Sequence, residues 1–325
     1  MKRWSIPLAL IATAALAALP FLDPGLFDPF HISRDVLVQF GINALLLATL
    51  AQSWNILGGF TGYVSFGNSV FYGLGTYGTA IAMVQFNQSF GLGLGIGAVL
   101  AMLCALLVGV PILRLRGPYF AIATLGLNGA MMAIFSNLAI AGTNIGLVLP
   151  LTRNDALFYE LALGLLVVCT GTVLWISKSR YGMGLIAIRE DEDAAGSMGL
   201  NATLYKVTAL VLAAFFTAIA GGIHAYWSTF VDPASSFDPT LNVRMVIMCV
   251  FGGPGTVFGP VIGSFLLSIV YELLASWIST AAVLLFGLVI VLAVIFMPKG
   301  LADVIAGARV SGWRYLLRNI RENRL

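Results

Sequence analysis

The chain has 325 residues, of which 59% are hydrophobic and 10% charged, with a mean hydropathy of +0.96. Water-soluble domains carry about 25% charged residues, so this composition excludes one, and the net charge of +3 is too small for a nucleic-acid binder. Cys104, Cys169 and Cys249 all fall in apolar runs, where they read as small packing residues and imply neither a disulfide nor a metal site.

Lys2 and Arg3 precede an apolar run at 5–22. Ala15-Leu16-Ala17 looks like a signal-peptidase site, but the run continues through Pro20-Phe21-Leu22 and reads as a retained first span. Residues 36–113 and 117–152 contain no Asp, Glu, Lys, Arg or His. A charge at the bilayer centre costs about 2.5–3.5 kcal/mol, so such runs belong in lipid, and apolar stretches of about 20 residues there are helices. Candidate spans follow at 35–57, 66–86, 90–113, 118–140, 157–176 and 206–227. The region 243–275 then runs in and back, reversing at FGGPGTVFG (251–259), before a last crossing at 280–297.

The expected fold is an all-α polytopic integral membrane protein of roughly 8 to 10 transmembrane helices, with re-entrant or broken Gly/Pro-rich segments. Helix breakers at membrane depth are tolerated where the freed backbone is buried in protein or lines a wet cavity. LGGFTGYVSFG (57–67) has the same look as 251–259, and the two read as counterparts in a parallel internal repeat. Residues 1–300 form the transmembrane domain. In the tail, 301–325, Trp313, Leu316, Leu317 and Ile320 recur at helical spacing with Arg314, Arg318 and Arg321 set off from them. This describes a basic amphipathic helix lying on anionic membrane lipid.

With the N-terminus in the cytoplasm, 14 of the 17 basic residues fall inside and only Arg34, Arg153 and Arg244 outside. The positive-inside rule therefore places both termini and the hydrophilic segment 177–206 in the cytoplasm. That segment carries Arg189 and four consecutive acids, Glu190, Asp191, Glu192 and Asp193, then Ala194, Ala195 and Gly199. It reads as a short helix with small residues that let it sit in a groove, ended by a glycine, and its charges suit contact with a soluble partner.

Asn43, Gln52, Asn55, Ser65, Asn68, Thr124 and Asn128 are uncharged polar groups on or beside early spans. Two roles remain open for them: hydrogen bonding between helices, or a neutral polar lining for a translocation path that passes a zwitterion without trapping it. His224, beside Tyr226 and Trp227, reads as an interfacial packing residue, and an Arg244–Glu272 ion pair is conceivable. His31 and His224 are isolated, the acids carry no His or Cys pattern, and no Gly-Lys pair occurs, so neither a catalytic centre nor a phosphate-binding loop is present in the sequence.

The coupling pattern Asp193-Ala194-Ala195 followed by Gly199 resembles the Glu-Ala-Ala-x-x-x-Gly motif of bacterial ABC import permeases, with Asp193 in the Glu position. SRYG (179–182), AIREDE (187–192) and MGLN (198–201) look like the corresponding loop of the LivM-type permeases of branched-chain amino acid ABC importers. So do SFG (65–67) with GTY (75–77), GPYFAIATL (117–125), GGPG (252–255) with FGP (258–260), and MPKGL (297–301). The resemblance runs in order from 43 to 301. Met183 and Leu185 stand where relatives carry basic residues, and AGTNIGL (141–147) lacks the usual Gly-Gly and Asp, which puts leucine-type specificity in doubt.

The resemblance implies a multi-pass subunit of the bacterial inner membrane. A periplasmic substrate-binding protein would deliver solute, and a paralogous LivH-like permease would complete the path. Two ATP-binding cassette subunits would bind ATP, leaving this chain with no cofactor of its own. Arg189 to Ala195 and Gly199 would then be the ATPase-coupling residues. The other reading is an ion-coupled secondary transporter or channel for a small polar solute; such carriers need ionisable groups deep in the membrane, and these spans have almost none.

Overall fold

The computed structural model describes residues 34–152, 154–277, 287, 300 and 301. The first span at 5–22, the crossing at 280–297 and the amphipathic tail from 302 onward lie outside the described residues. The chain runs α1 (Arg34–Trp54), α2 (Asn68–Val84), α3 (Phe90–Ile112), α4 (Pro118–Asn137), strand β1 (Leu147–Val148), α5 (Asp155–Lys178), α6 (Arg180–Glu190), α7 (Glu192–Ser197), α8 (Ala202–Ser228), strand β2 (Phe230–Val231), α9 (Pro233–Ser236), α10 (Pro239–Gly252) and α11 (Gly259–Trp277).

The chain is an all-α polytopic membrane protein. Five helical segments are long and apolar enough to cross a bilayer: Arg34–Gly59, in which α1 continues through a π-helical turn at Asn55–Gly59, and α3, α4, α5 and α8. These match the candidate spans at 35–57, 90–113, 118–140, 157–176 and 206–227, while the one at 66–86 is the shorter α2. The central element is α2, which is only 17 residues long yet has 15 of them buried, wedged chiefly between α3 and α8. Glycines allow this. A Cβ on Gly75 would lie 2.0 Å from the Ala218 carbonyl oxygen, and one on Gly78 would lie 2.5 Å from Gly97 Cα. In lipid, where apolar burial gives helices no reason to associate, backbone approach of this kind supplies the packing.

Helix α4 contrasts with α2. It touches the bundle through a narrow stripe of Phe120, Thr124, Asn128 and Phe135, while Ile122, Leu125 and Ile134 are exposed. At one end of the bundle β1 and β2 pair antiparallel, Leu147 opposite Val231 and Val148 opposite Phe230. At the other end lie the C-termini of α1, α3 and α5, the start of α8, and the short helices α6 and α7.

The reversal expected at 251–259 forms between α10 and α11. Asp238 caps α10 by accepting from Thr240 N at 2.8 Å, Pro239 occupies the first helical position, and 14 residues span about 21 Å. Gly253 and Gly255 then turn the chain with φ of +118° and +76°, which a side chain would oppose.

Candidate functional site

The hydrophilic segment folds into two short capped helices at one end of the bundle. Ser179 accepts from Gly182 N at 3.1 Å to start α6. Asp191 is extended, breaking the helix, and its Oδ1 accepts from Asp193 N and Ala194 N at 2.9 Å to start α7. Glu192 and Asp193 in the first turn suit the positive end of the helix dipole. Gly199, at φ +87°, ends α7, with Leu200 N donating to Ala195 O at 3.1 Å across the last turn. Ala195 faces inward and is buried; Ala194, Gly196, Ser197 and Gly199 are exposed, and Met198 stands out at 86% exposure.

The helix break at Asp191 sends the four acids in different directions, although the sequence presents them as one patch. Glu190 is exposed. Asp191 is spent on the cap. Asp193 takes a two-pronged contact from Arg116, 2.8 and 3.0 Å, at the α3–α4 connection. Glu192 turns into the bundle against Lys206 and Tyr63, and Arg189 reaches Gly59 O with Nη1 at 3.0 Å.

Lys206 is the residue that sequence reasoning used only as a topological mark. Its side chain is 1% exposed, and Nζ donates to Glu192 Oε1 at 2.7 Å, Leu113 O at 3.0 Å and the Tyr63 hydroxyl at 3.0 Å, which accounts for all three ammonium protons. Nζ also sits 4.2 Å from the Tyr63 ring centroid. One cation thus ties α8, α7, the end of α3 and the 60–67 connector together. Burial pushes the Glu192 carboxyl up, but the hydrogen bonds and charge of Lys206, with help from Tyr63, outweigh it and hold the group below its ordinary range. Burial first, then the Glu192 carboxylate, push the Tyr63 phenol up, so it stays a donor.

The polar residues of the early spans occupy three settings. Asn43 is exposed and donates to Gln39 O on its own helix at 3.2 Å. Gln52 and Asn55 are fully buried and bind the α10–α11 turn: Gln52 Nε2 to Val257 O at 2.8 Å, Asn55 Nδ2 to Thr256 O at 2.9 Å, and Gly255 N to Asn55 Oδ1 at 2.8 Å. Asn128 Nδ2 donates to Phe237 O at 2.8 Å and its Oδ1 accepts from Ser69 Oγ at 2.6 Å, while Asn242 holds the same Ser69. Thr124 Oγ1 accepts from Phe66 N at 3.1 Å and Ser65 Oγ accepts from Gly67 N at 3.2 Å. Asn68 is buried, its Nδ2 without a partner among the described residues. Ser65 and Thr124 are buried, at the edge of a small, almost wholly apolar cleft. Its walls include Phe71, Val108, Ile112, Phe120, Leu127 and Leu210.

A family model described as the branched-chain amino acid transport system permease component matches residues 36–295. The chain belongs to this permease family. The permease is 28% identical to the high-affinity branched-chain amino acid transport system permease protein LivM of Escherichia coli (strain K12), covering 84% of this chain and 71% of that protein. It is 25% identical to LivH of Salmonella typhimurium over 53% of this chain and 54% of that one. To the fructose import permease protein FrcC of Rhizobium meliloti it is 26% identical, covering 59% and 58%. No solved structure matches it.

Two further expectations meet the geometry of this permease. His224 packs between Tyr72 and Trp227, ring centroids 6.0 and 5.8 Å away, as a packing residue would. Arg244 lies over the Tyr271 ring, 6.0 Å from its centroid, and the ion pair with Glu272 does not form; neighbours on α11 point about 100° apart.

Proposed function

We propose that this chain is a permease subunit of an ATP-binding cassette importer for branched-chain or related amino acids. It pairs with a LivH-like second permease, receives solute from a periplasmic substrate-binding protein, and is driven by two ATPase subunits that bind the ATP. It sits in the bacterial inner membrane with both termini and 177–206 on the cytoplasmic side. The observation that supports the reading is α7, a capped six-residue helix that shows small residues and Met198 outward while Glu192 anchors it inward through Lys206. A rigid, shallow surface over a charge-locked root is what a partner needs in order to push on a membrane bundle.

On this reading the ATPase-coupling surface comprises Glu190, Asp193, Ala194, Gly199 and their neighbours, whereas Glu192 acts behind it and Arg189 reaches back from its edge to Gly59. The small apolar cleft beside Ser65 and Thr124 marks where this chain borders the path. Gln52 and Asn55 hold the broken segments together, Asn128 ties Ser69 to the Phe237 carbonyl, Asn68 lies buried at the start of α2, and Asn43 faces outward toward lipid or the second permease. Moving a two-state bundle from 1:99 to 99:1 takes about 5.5 kcal/mol of differential binding, within reach of nucleotide-driven closure.

The test is reconstitution. Liposomes holding this chain, its second permease and both ATPase subunits, supplied with the binding protein, take up the labelled branched-chain or related amino acid that the binding protein holds only with internal ATP. Uptake by this chain alone, driven by a proton or sodium gradient, overturns the reading in favour of a secondary carrier.

A further inference from the structure

The two Gly-rich stretches that break the helices meet one another, and a residue of the hydrophilic segment closes the contact. A Cβ on Gly59 would fall 2.6 Å from Gly255 N and 1.8 Å from Asn55 Oδ1, so the two backbones cross where a side chain has no room. Nearly everything holding the crossing is side chain to backbone: Gln52 on α1 and Asn55 at the start of its π-helical continuation, one turn apart, bond Gly255, Thr256 and Val257. Such contacts separate without unwinding either helix. Cys249 sits inside the crossing, its Sγ 3.5 Å from Asn55 Oδ1.

Arg189 comes to this point from α6. Its Nη1 donates to Gly59 O at 3.0 Å and would lie 3.0 Å from a Cβ on Gly255, while its Cγ would lie 3.3 Å from one on Gly62. The stem therefore lies along the end of the first broken helix, and the guanidinium bonds Gly59 O where it abuts Gly255. The bonded carbonyl ends the π-helical turn Asn55–Gly59; the oxygens before it, Leu57 O and Gly58 O, accept from Phe60 N and Gly62 N. A planar, permanently charged donor is suited to hold such an oxygen from outside.

The geometry points to Arg189 as a positioning residue, a pin through which displacement of α6 and α7 opens or closes the crossing of 55–62 with 253–257, which serves as the inner gate. This rests on the proposed importer function and adds where the motion is delivered. Arg189 then acts on the bundle and not on the ATPase.

Cys249 is the reporter, in a Cys104→Ala/Cys169→Ala background, labelled with a membrane-impermeant methanethiosulfonate. In the purified chain without partners, Arg189→Ala raises the Cys249 labelling rate at least tenfold and Arg189→Lys, which keeps a donor, raises it less. An unchanged rate in Arg189→Ala overturns the proposal. In the full transporter, nucleotide changes Cys249 reactivity in the native chain but not in Arg189→Ala, and solute moved per ATP hydrolysed falls at least tenfold while complex yield and ATPase rate hold. A merely structural arginine would lower yield and leave that ratio intact, and such a result also overturns the pin. If the native complex shows no ATP-driven uptake, the importer reading has failed, and the labelling of the isolated chain still decides the pin.

Discussion

The Lys206–Glu192 pair yields the sharpest quantitative expectation because its two ends are unequally wet. Glu192→Leu leaves the Lys206 ammonium, 1% exposed, with only two neutral acceptors, the Leu113 carbonyl and the Tyr63 hydroxyl. Removing one partner of a buried pair costs about 3–5 kcal/mol, because the survivor is an uncompensated charge. Lys206→Met leaves a carboxylate that keeps the Tyr63 donor and, at 18% exposure, some water, so the cost is nearer 1–3 kcal/mol. Lys206→Met with Glu192→Leu removes both charges and costs less than the two single changes summed, with an interaction energy of about 3 kcal/mol. Denaturant titration of the purified chain in detergent, followed by tryptophan fluorescence, measures all four corners of the cycle. Equal costs for the two single variants, or a double variant that equals their sum, would refute the argument from burial.

The depressed Glu192 carboxyl stabilises the fold above its ordinary value of 4.5, and that contribution is lost as pH falls through the lower folded value; a thermal-midpoint series from pH 7 to 3 should show an acid decline that is shallower in Glu192→Gln. Gly199→Val places a β-branched residue at φ +87°, where left-handed backbone costs about 1–2 kcal/mol, so α7 loses its end and ATP-dependent uptake is abolished while membrane insertion, read by fractionation and blotting, persists. Reversing the charges from Glu190 to Asp193 is expected to give the same pattern. Gly75→Leu drives a side chain into the Ala218 carbonyl and should cut the folded yield on gel filtration severely, whereas Gly126→Leu on the open face of α4 should not.

Much of the fold was legible because lipid writes it in large letters: the charge-free runs at 36–113 and 117–152 became α1 to α4 with ends close to those expected. The breaks at 57–67 and 251–259 were equally visible as glycine. Their mutual contact was not, since nothing local says that Asn55 will find Gly255 two hundred residues away. The polar segment showed its helix and its terminating glycine, yet the direction of each side chain was hidden by the break at Asp191, which turns Glu192 inward and Asp193 toward Arg116. Lys206 was hidden for a related reason. A single lysine at the head of a span looks like an interfacial anchor, and only the return of α7 beneath it makes it a buried hub. Tyr63, in a glycine-rich connector, carried no signal at all.

The central claim, that α7 is where an ATPase grips this permease, is tested most directly by crosslinking from its most exposed residue. Met198→Cys, treated with a short bifunctional thiol reagent in the assembled transporter, should join this chain to an ATPase subunit with a yield that changes when ATP is added. Absence of that product, or an equal yield from Leu151→Cys near the opposite end of the bundle, would contradict the account.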